Sequence, residues 1–187
     1  MTIKTIFLDR DGIVNKDVRY LYKIKDFEFI DGIFEACLCF HNLGYQIIIV
    51  TNQSGIFRGY YNESHYQELT RWMLSQFEIN NISILDIFHC PHGPNSTCSC
   101  RKPMPGMFLS AKKTYDIDMK NSWMKGDKET DIIAANAAGI KNTILVRYNH
   151  NIDKSDSNAS FFVDSIKDSI KVSNIIKIAN DLLGKNI

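Results

Sequence analysis

The sequence predicts a Rossmann-like, three-layer α/β fold in which helices cover both faces of a central parallel sheet. Three observations carry that prediction. Short β-prone runs alternate with amphipathic stretches along nearly the whole chain. The strand runs, above all Thr5-Ile6-Phe7-Leu8 and Gln46-Ile47-Ile48-Ile49-Val50, are close to continuously apolar, as strands buried on both faces are. Acids, hydroxyls and amides follow directly after those runs, and the carboxyl ends of parallel strands are where open sheets place their chemistry.

Taken in order, the first run leads into Asp9-Arg10-Asp11-Gly12. Asn15 to Asp26 is polar, holds Tyr20 and Tyr22, and is too short for a domain; it reads as a flap over the strand end. Asp31-Gly32-Ile33 opens a helix whose apolar positions Ile33, Ala36, Cys37, Phe40 and Leu43 keep helical spacing, and Gly44 ends it. Cys37 and Cys39 lie in that helix and read as buried small hydrophobes. The second strand gives way to Thr51-Asn52-Gln53-Ser54-Gly55 and a loop through Arg58-Gly59-Tyr60, then to a helix from about Glu63 to Phe77. Ile84 to His89 reads as a strand, Met107 to Tyr115 as a helix and Ser122 to Asp127 as a short strand. Ile132 to Gly139 is a small, tightly packable helix, and Thr143 to Val146 the next strand. A polar, mobile loop from Tyr148 to Ser160, a strand at Phe161-Phe162-Val163 and a closing helix from Val172 to Leu183 complete the expected order.

At 187 residues the chain is expected to form a single domain over 1–187, large enough to bury a core without disulfides. Charge nearly balances, 22 Lys and Arg against 21 Asp and Glu, so no nucleic-acid surface is expected. No run approaches the ~20 apolar residues of a membrane span. Met1-Thr2-Ile3-Lys4 leads straight into a strand rather than a secretory leader, and the 5 cysteines are an odd number. A reducing compartment, the cytoplasm, is therefore the expected location.

Asp9 and Asp11, two residues apart in a turn opened by Gly12, can converge on one small volume. Their repulsion would push one to a high pKa, and a divalent cation relieves it because hard cations prefer carboxylate oxygens. A polar loop capping the strand is the other reading of an isolated Asp-x-Asp. Thr51 to Gly55 offers a hydroxyl and backbone N–H groups to an oxyanion, although Ser and Asn also serve as helix caps. Cys90-Pro91-His92 and Cys98-Ser99-Cys100, joined by turn residues, supply the four ligands of a tetrahedral Zn²⁺ of Cys₃His type. A redox pair or incidental surface thiols are the competing readings; a reducing compartment disfavours a disulfide, and exposed free thiols are a liability. Such an ion would be structural, and with Pro103 and Pro105 it would aim Arg101 and Lys102 at a phosphate. Asp127 ends a strand as Asp9 does, while Asp131 is either a dipole-favoured helix acid or related to a metal. His41, His65, His89 and His150 have no comparable neighbours and are assigned no chemistry. Carboxylates for a metal, a carboxylate nucleophile, a second acid, and a hydroxyl and lysine for phosphate oxygens together form an inventory for phosphoryl transfer.

Asp9-Arg10-Asp11-Gly12, Val50-Thr51-Asn52, Lys102, and Gly126-Asp127 with Asp131 resemble, in order, the four motifs of the haloacid dehalogenase superfamily. The Cys-x-His…Cys-x-Cys-Arg-Lys-Pro run is similar to one group within it, the D-glycero-D-manno-heptose 1,7-bisphosphate phosphatases and the related histidinol-phosphatase domains. The resemblance implies a Mg²⁺-dependent enzyme that removes the C7 phosphate of the bisphosphate through an aspartyl-phosphate, supplying heptose 1-phosphate for nucleotide-activated heptose and lipopolysaccharide. It implies Asp9 as nucleophile and Mg²⁺ ligand, Asp11 as acid and then base with its main-chain carbonyl on the metal, and Asp127 completing the metal site. Thr51 and Lys102 would hold the transferring phosphoryl group, while Asp17, Tyr20, Asn52, Gln53, Ser54, Arg101 and Lys128 would contact the sugar or its distal phosphate. The implied partner is a small sugar bisphosphate, bound by a monomer. Histidinol phosphate is the alternative substrate; Thr51 to Ile56 with Arg58-Gly59-Tyr60 looks like the heptose branch. Neither Asp11 to Asp31 nor Thr51 to Arg101 leaves room for a separate cap domain. A non-catalytic, zinc-stabilised binding module is a third reading, and the intact set Asp9, Asp11, Thr51, Lys102 and Asp127 argues against it.

Overall fold

The computed structural model describes residues 2–148 and 157–172. Strand β1 (Thr5–Leu8) lies inside a six-stranded sheet with all four of its residues buried. Ile6 and Leu8 enter the core on one face and Phe7 the core on the other, which is why the run has no polar side. β2 (Gln46–Asn52), β3 (Asp86–Cys90), β4 (Trp123–Gly126), β5 (Asn142–Val146) and β6 (Phe161–Val163) complete the sheet. Every pairing is parallel and the order is β3-β2-β1-β4-β5-β6. The chain walks outward from β1 to β3, then returns to the other side of β1 with β4. That reversal opens a crevice at the carboxyl ends of β1 and β4, the switch point at which such sheets bind ligands.

Right-handed crossovers running in opposite directions put their helices on opposite faces. Helices α1 (Ile33–Asn42) and α3 (Glu63–Ile79) pack one face, separated in sequence by the single turn α2 (Ser54–Phe57). α4 (Gly106–Tyr115) and α5 (Glu129–Ala137) pack the other. α1 buries Ile33, Ala36, Cys37 and Phe40, one stripe at helical spacing. α3 buries Tyr66, Leu69, Met73 and Phe77, and its first turn is closed reciprocally by Asn62 and His65. α5 meets the sheet through Ala134 and Ala135, and such short side chains let a helix sit close to strand ends. Residues 166–172 are helical, and Ile166 joins the α1 side of the core.

The expected elements are all present where the structure describes them, with shifted ends. The third strand runs over 86–90 rather than 84–89, because its pairing to β2 continues through Thr51↔His89 to Asn52↔Cys90. That extension anchors Cys90 on the sheet. Cys37 is buried as expected, whereas Cys39 is only partly so. Most of the expected loop from Tyr148 to Ser160, and all but the first residue of the expected closing helix, lie outside the described residues. Among the described residues no helix is long and apolar enough to cross a membrane.

Candidate active site

Asp9 leaves β1 at the crevice with 5 % of its surface exposed. Lys102 comes to it from the far side of the β2 end: its Nζ lies 2.8 Å from Asp9 Oδ1 and 2.6 Å from Asp131 Oδ1, and donates to the Val50 carbonyl at 2.8 Å. Asp127 follows β4. Carboxylate oxygens of Asp9, Asp127 and Asp131 lie within 4.8 Å of one another. Burial, with Asp131 and Asp127 adding repulsion and Lys102 opposing them, pushes Asp9 up to about 8. Burial likewise raises Asp127 to about 6. Lys102 is held above its ordinary value by Asp131 and Asp9, against its own burial. Lys102, with Lys128 3.6 Å from Asp127, leaves three acids with two cations, and Asp127 Oδ1 is buried without a hydrogen bond among the described residues. A hard divalent cation fits that donor set. Gly12 is required beside it: at φ +95° a Cβ would lie 2.2 Å from Asp127 Oδ2. Gly126 is required too, since its Cβ would lie 2.4 Å from the Cβ of Asp131.

The Asp11 carboxylate does not join that trio. It is held by Arg10, whose Nη2 reaches both carboxylate oxygens at 3.0 Å and whose Nε reaches Oδ1 at 3.2 Å. Asn15 Nδ2 donates to Asp11 Oδ1 at 3.0 Å and Gln53 Nε2 to Oδ2 at 2.9 Å. Although its burial opposes ionisation, Arg10 and these bonds hold Asp11 below its ordinary value. Gln53 also donates to Thr51 Oγ1 at 2.8 Å and accepts from Arg10 at 3.2 Å and from the Tyr61 hydroxyl at 2.5 Å. Arg10, Asn15 and Tyr61 were not singled out from the sequence. An arginine wedged between two acids was the available signal for Arg10; nothing in the spacing marks the other two.

A cleft of about 360 Å³ opens above these groups. Asp9, Asp11, Thr51, Asn52, Gln53, Ser54, Arg101, Lys102 and Lys128 line it, and flap residues Asp17 and Tyr20 close its rim. Gln53 is 2 % exposed and spends its amide on Arg10, Asp11, Thr51 and Tyr61, which makes it an internal brace. The Asn52 side chain clasps the main chain of Lys102, donating to its carbonyl and accepting from its N–H, both at 3.0 Å. Lys128 Nζ meets Asp17 at 2.9 Å, tying the flap to the entrance of α5, and lies 3.6 Å from Asp127. Arg101 donates to the His92 carbonyl at 3.2 Å. Asp131 is bonded to the Lys128 N–H at 3.2 Å and to Lys102, so it serves both the helix start and the acid trio.

The second cluster lies between β3 and α4. Cys90, His92, Cys98 and Cys100 bring ligand atoms within 4.8 Å of one another. Cys90 Sγ is 3.7 Å from Cys98 Sγ, and His92 Nδ1 is 3.4 Å from Cys90 Sγ and 3.3 Å from Cys100 Sγ. A tetrahedron with Zn–S bonds of about 2.3 Å has S···S edges of roughly 3.8 Å; the Cys90–Cys98 edge matches, the 2.9 Å between Cys100 Sγ and Cys90 Sγ is shorter, and it is the donor set that suits zinc. The loop folds back on α4 so tightly that a Cβ on Gly106 would lie 2.3 Å from the Ser99 carbonyl oxygen. His89, given no role from the sequence, pairs with Glu63 at 3.1 Å and packs on Tyr66.

A family model for HAD-hydrolase-like proteins matches residues 99–169. A D-glycero-alpha-D-manno-heptose-1,7-bisphosphate 7-phosphatase of Photorhabdus laumondii is 48% identical over 164 residues, covering 84% of this chain and 90% of that one. A D-glycero-beta-D-manno-heptose-1,7-bisphosphate 7-phosphatase of Vibrio cholerae is 44% identical over 176 residues, covering 90% and 95%. Among solved structures, the D,D-heptose 1,7-bisphosphate phosphatase of B. bronchiseptica, complexed with magnesium and phosphate, superposes with a TM-score of 0.79 at 27% identity, covering 91% of this chain and 97% of that one.

Proposed function

The chain belongs to the haloacid dehalogenase superfamily and, within it, to the family of the heptose-1,7-bisphosphate 7-phosphatases, and on that premise we propose that it hydrolyses the C7 phosphate of D-glycero-D-manno-heptose 1,7-bisphosphate. The observation that carries the reading is Lys102 buried between Asp9 and Asp131, in a cleft that Arg101 and Lys128 also line. Lys102 suits the phosphoryl group in reaction, and Arg101 and Lys128 would suit an anion that stays.

In this reading Asp9 attacks phosphorus as the bond to the sugar oxygen breaks, and a proton from Asp11 goes to that oxygen. Water then attacks the aspartyl-phosphate, gives its proton to Asp11, and frees Asp9 and inorganic phosphate. Lys102 and the Thr51 hydroxyl neutralise the equatorial oxygens. Asp9 and Asp127, with the main-chain carbonyl of Asp11, would hold Mg²⁺, which supplies positive charge to the phosphoryl oxygens. Asp131 orients Lys102. Zn²⁺ on Cys90, His92, Cys98 and Cys100 would fix the loop that delivers Arg101 and Lys102. Among the described residues there is no cap domain, and the flap, whose residues Asp17 to Leu21 line the cleft, would provide the closure together with the zinc loop.

Phosphate release with Mg²⁺ from both anomers of the bisphosphate and from histidinol phosphate tests the substrate. At least 100-fold higher kcat/KM for a heptose anomer is expected, about 2.7 kcal/mol of transition-state discrimination. Faster turnover of histidinol phosphate would overturn the heptose reading.

A further inference from the structure

We propose that Tyr60, which lies outside the cleft, is a positioning residue for substrate selection: its ring contact with Tyr20 holds the flap where it grips the leaving part of the substrate. The inference rests on the reading of the chain as a sugar bisphosphate phosphatase. Tyr60 is 55 % exposed and does not line the cleft. Its ring nevertheless meets that of Tyr20, which does line the cleft, with centroids 4.3 Å apart and planes tilted by 40°. Aromatic pairs of this kind attract beyond the area they bury. Tyr20 needs such a partner. It is the third residue of the turn from Val18 to Leu21, which the Leu21 N–H closes on the Val18 carbonyl at 3.1 Å, and it stands there at φ +60°. A bulky side chain is rare in that left-handed region, where glycine is the usual occupant. A backbone in such a conformation persists where its surroundings hold it there.

The other end of the contact is fixed. The Tyr60 N–H donates to the Gly55 carbonyl at 3.0 Å, and the neighbouring Tyr61 is buried so close to Gly55 that a Cβ there would lie 2.1 Å from the Tyr61 ring. Tyr61 carries a second ring contact: Tyr22 stacks on it with centroids 5.4 Å apart and planes 19° apart. Residues 20 and 22 of the flap therefore seat on residues 60 and 61 of the loop before α3. The two contacts differ in what else they touch. Tyr61 reaches Gln53 inside the site, so a change there disturbs the site itself, whereas Tyr60 can be changed from outside the cleft. On the flap, Arg19 has its guanidinium 5.3 Å from the Tyr20 ring, and Asp17 pairs with Lys128. Holding Tyr20 thus holds a cation and an acid at the rim of the cleft. Asp9, Thr51 and Lys102, which serve the transferring phosphoryl group, come from other segments. A looser flap should therefore weaken the grip on the rest of the substrate and spare the chemistry, since a loop already seated has less order to gain on binding.

Steady-state kinetics on two substrates, with wild type, Tyr60→Ala and Tyr60→Phe, tests the proposal. Heptose 1,7-bisphosphate offers the flap a large, charged leaving portion, while acetyl phosphate carries its phosphoryl group on a small one. Tyr60→Ala should raise KM for the bisphosphate at least about 5-fold with kcat within about 2-fold, the pattern of lost binding rather than lost chemistry. Its KM for acetyl phosphate should stay within about 2-fold of wild type. Tyr60→Phe keeps the ring and should match wild type on both. Native trypsin cleavage after the exposed Arg19, followed by mass spectrometry, reads the flap without any substrate. It should be at least about 3-fold faster in Tyr60→Ala and unchanged in Tyr60→Phe, since native-state cleavage follows the population of the opened segment. An unchanged KM in Tyr60→Ala, equal rises in KM on both substrates, or equal cleavage of Tyr60→Ala and wild type would each overturn the proposal. If wild type does not turn over the bisphosphate, the heptose reading fails by itself. The trypsin comparison then decides the flap contact alone: faster cleavage in Tyr60→Ala upholds it, and equal cleavage overturns it.

Discussion

The two clusters of candidate metal-ligand side chains are linked by Cys100-Arg101-Lys102, whose lysine reaches Asp9 and Asp131, yet they are built in opposite ways. Asp9 and Asp127 sit at the ends of adjacent strands, and Asp131 opens the helix after the second, so the sheet itself forces their repulsion. Cys90 alone among the thiol and imidazole ligands lies in a strand; His92, Cys98 and Cys100 are in a loop whose own side chains are largely exposed. The acid trio is held together against its own electrostatics. The thiol cluster has little besides an ion to hold it. A cation should therefore relieve strain in the first and create order in the second.

The largest effect separates them cleanly. Asp9→Asn should lower kcat by about 10⁴-fold or more, as nucleophile losses do. It should leave the melting temperature unchanged or higher, because one of three mutually repelling acids has gone. A variant that turns over at near wild-type rate, measured by phosphate release, would end the covalent mechanism. Cys100→Ser should behave in reverse. It removes a proposed zinc ligand and should cut zinc content, lower the melting temperature by several degrees and reduce kcat by about 10- to 100-fold. Added Mg²⁺ should not restore it. Full zinc occupancy in a variant lacking all four ligands would break the comparison.

The contrast was only half legible in the sequence. Residue type and spacing bring Cys-x-His and Cys-x-Cys together, and Asp9 and Asp127 as acids at strand ends, whereas of the pair Asp9 and Asp11 only the Asp9 carboxylate lies in the acid cluster. The strand order could not be read, since nothing local to β3 says that the next strand will return to the other side of β1. Nor does spacing report where a side chain points. The resemblance puts Asp11 on the metal through its main-chain carbonyl and leaves Asp131 between two roles; the Asp131 carboxylate joins Asp9 and Asp127, while the Asp11 carboxylate, which the spacing lets converge with Asp9, turns to Arg10. Asn52 and Gln53, expected at the substrate, both line the cleft, and their amides also hold Lys102 and Asp11. Polar residues beside an active site read alike whether they face the ligand or hold the group that does.

Proton linkage sharpens the comparison further. Asp9 at about 8 and Asp127 at about 6 are raised above the ordinary 3.8 of a free aspartate, mainly by burial. The contribution to stability is therefore complete below the unfolded value near 4, and is lost as pH rises through 6 and 8. Mg²⁺-free protein should melt at progressively lower temperature across that range, and added Mg²⁺ should restore more at pH 8 than at pH 6. Mg²⁺ affinity, followed by calorimetry, should strengthen by up to about tenfold per pH unit over the same interval, because a proton must leave as the ion binds. Asp9→Asn should flatten both trends. Trends that survive in that variant would mean that the acid trio is not where the protons reside.

The smallest expected effect tests the joint between the two regions. Asn52, at the end of β2, holds the main chain of Lys102 from both sides, so it is the sheet's grip on the thiol loop. Lys102 Nζ has to pass between Asp9 and Asp131 at 2.8 and 2.6 Å, and a shift of even part of an ångström weakens both contacts. Asn52→Ala removes two hydrogen bonds and should cost about 1–3 kcal/mol of stability, with the Lys102 N–H and carbonyl left to find water. It should lower kcat by about 5-fold through misplaced Lys102, with zinc content unchanged because no ligand has been touched. Asn52→Asp keeps the acceptor for the Lys102 N–H but loses the donor to its carbonyl, and should fall between. A drop in zinc content in either variant would mean that the thiol cluster depends on the sheet, and that the two regions are less different than their construction implies.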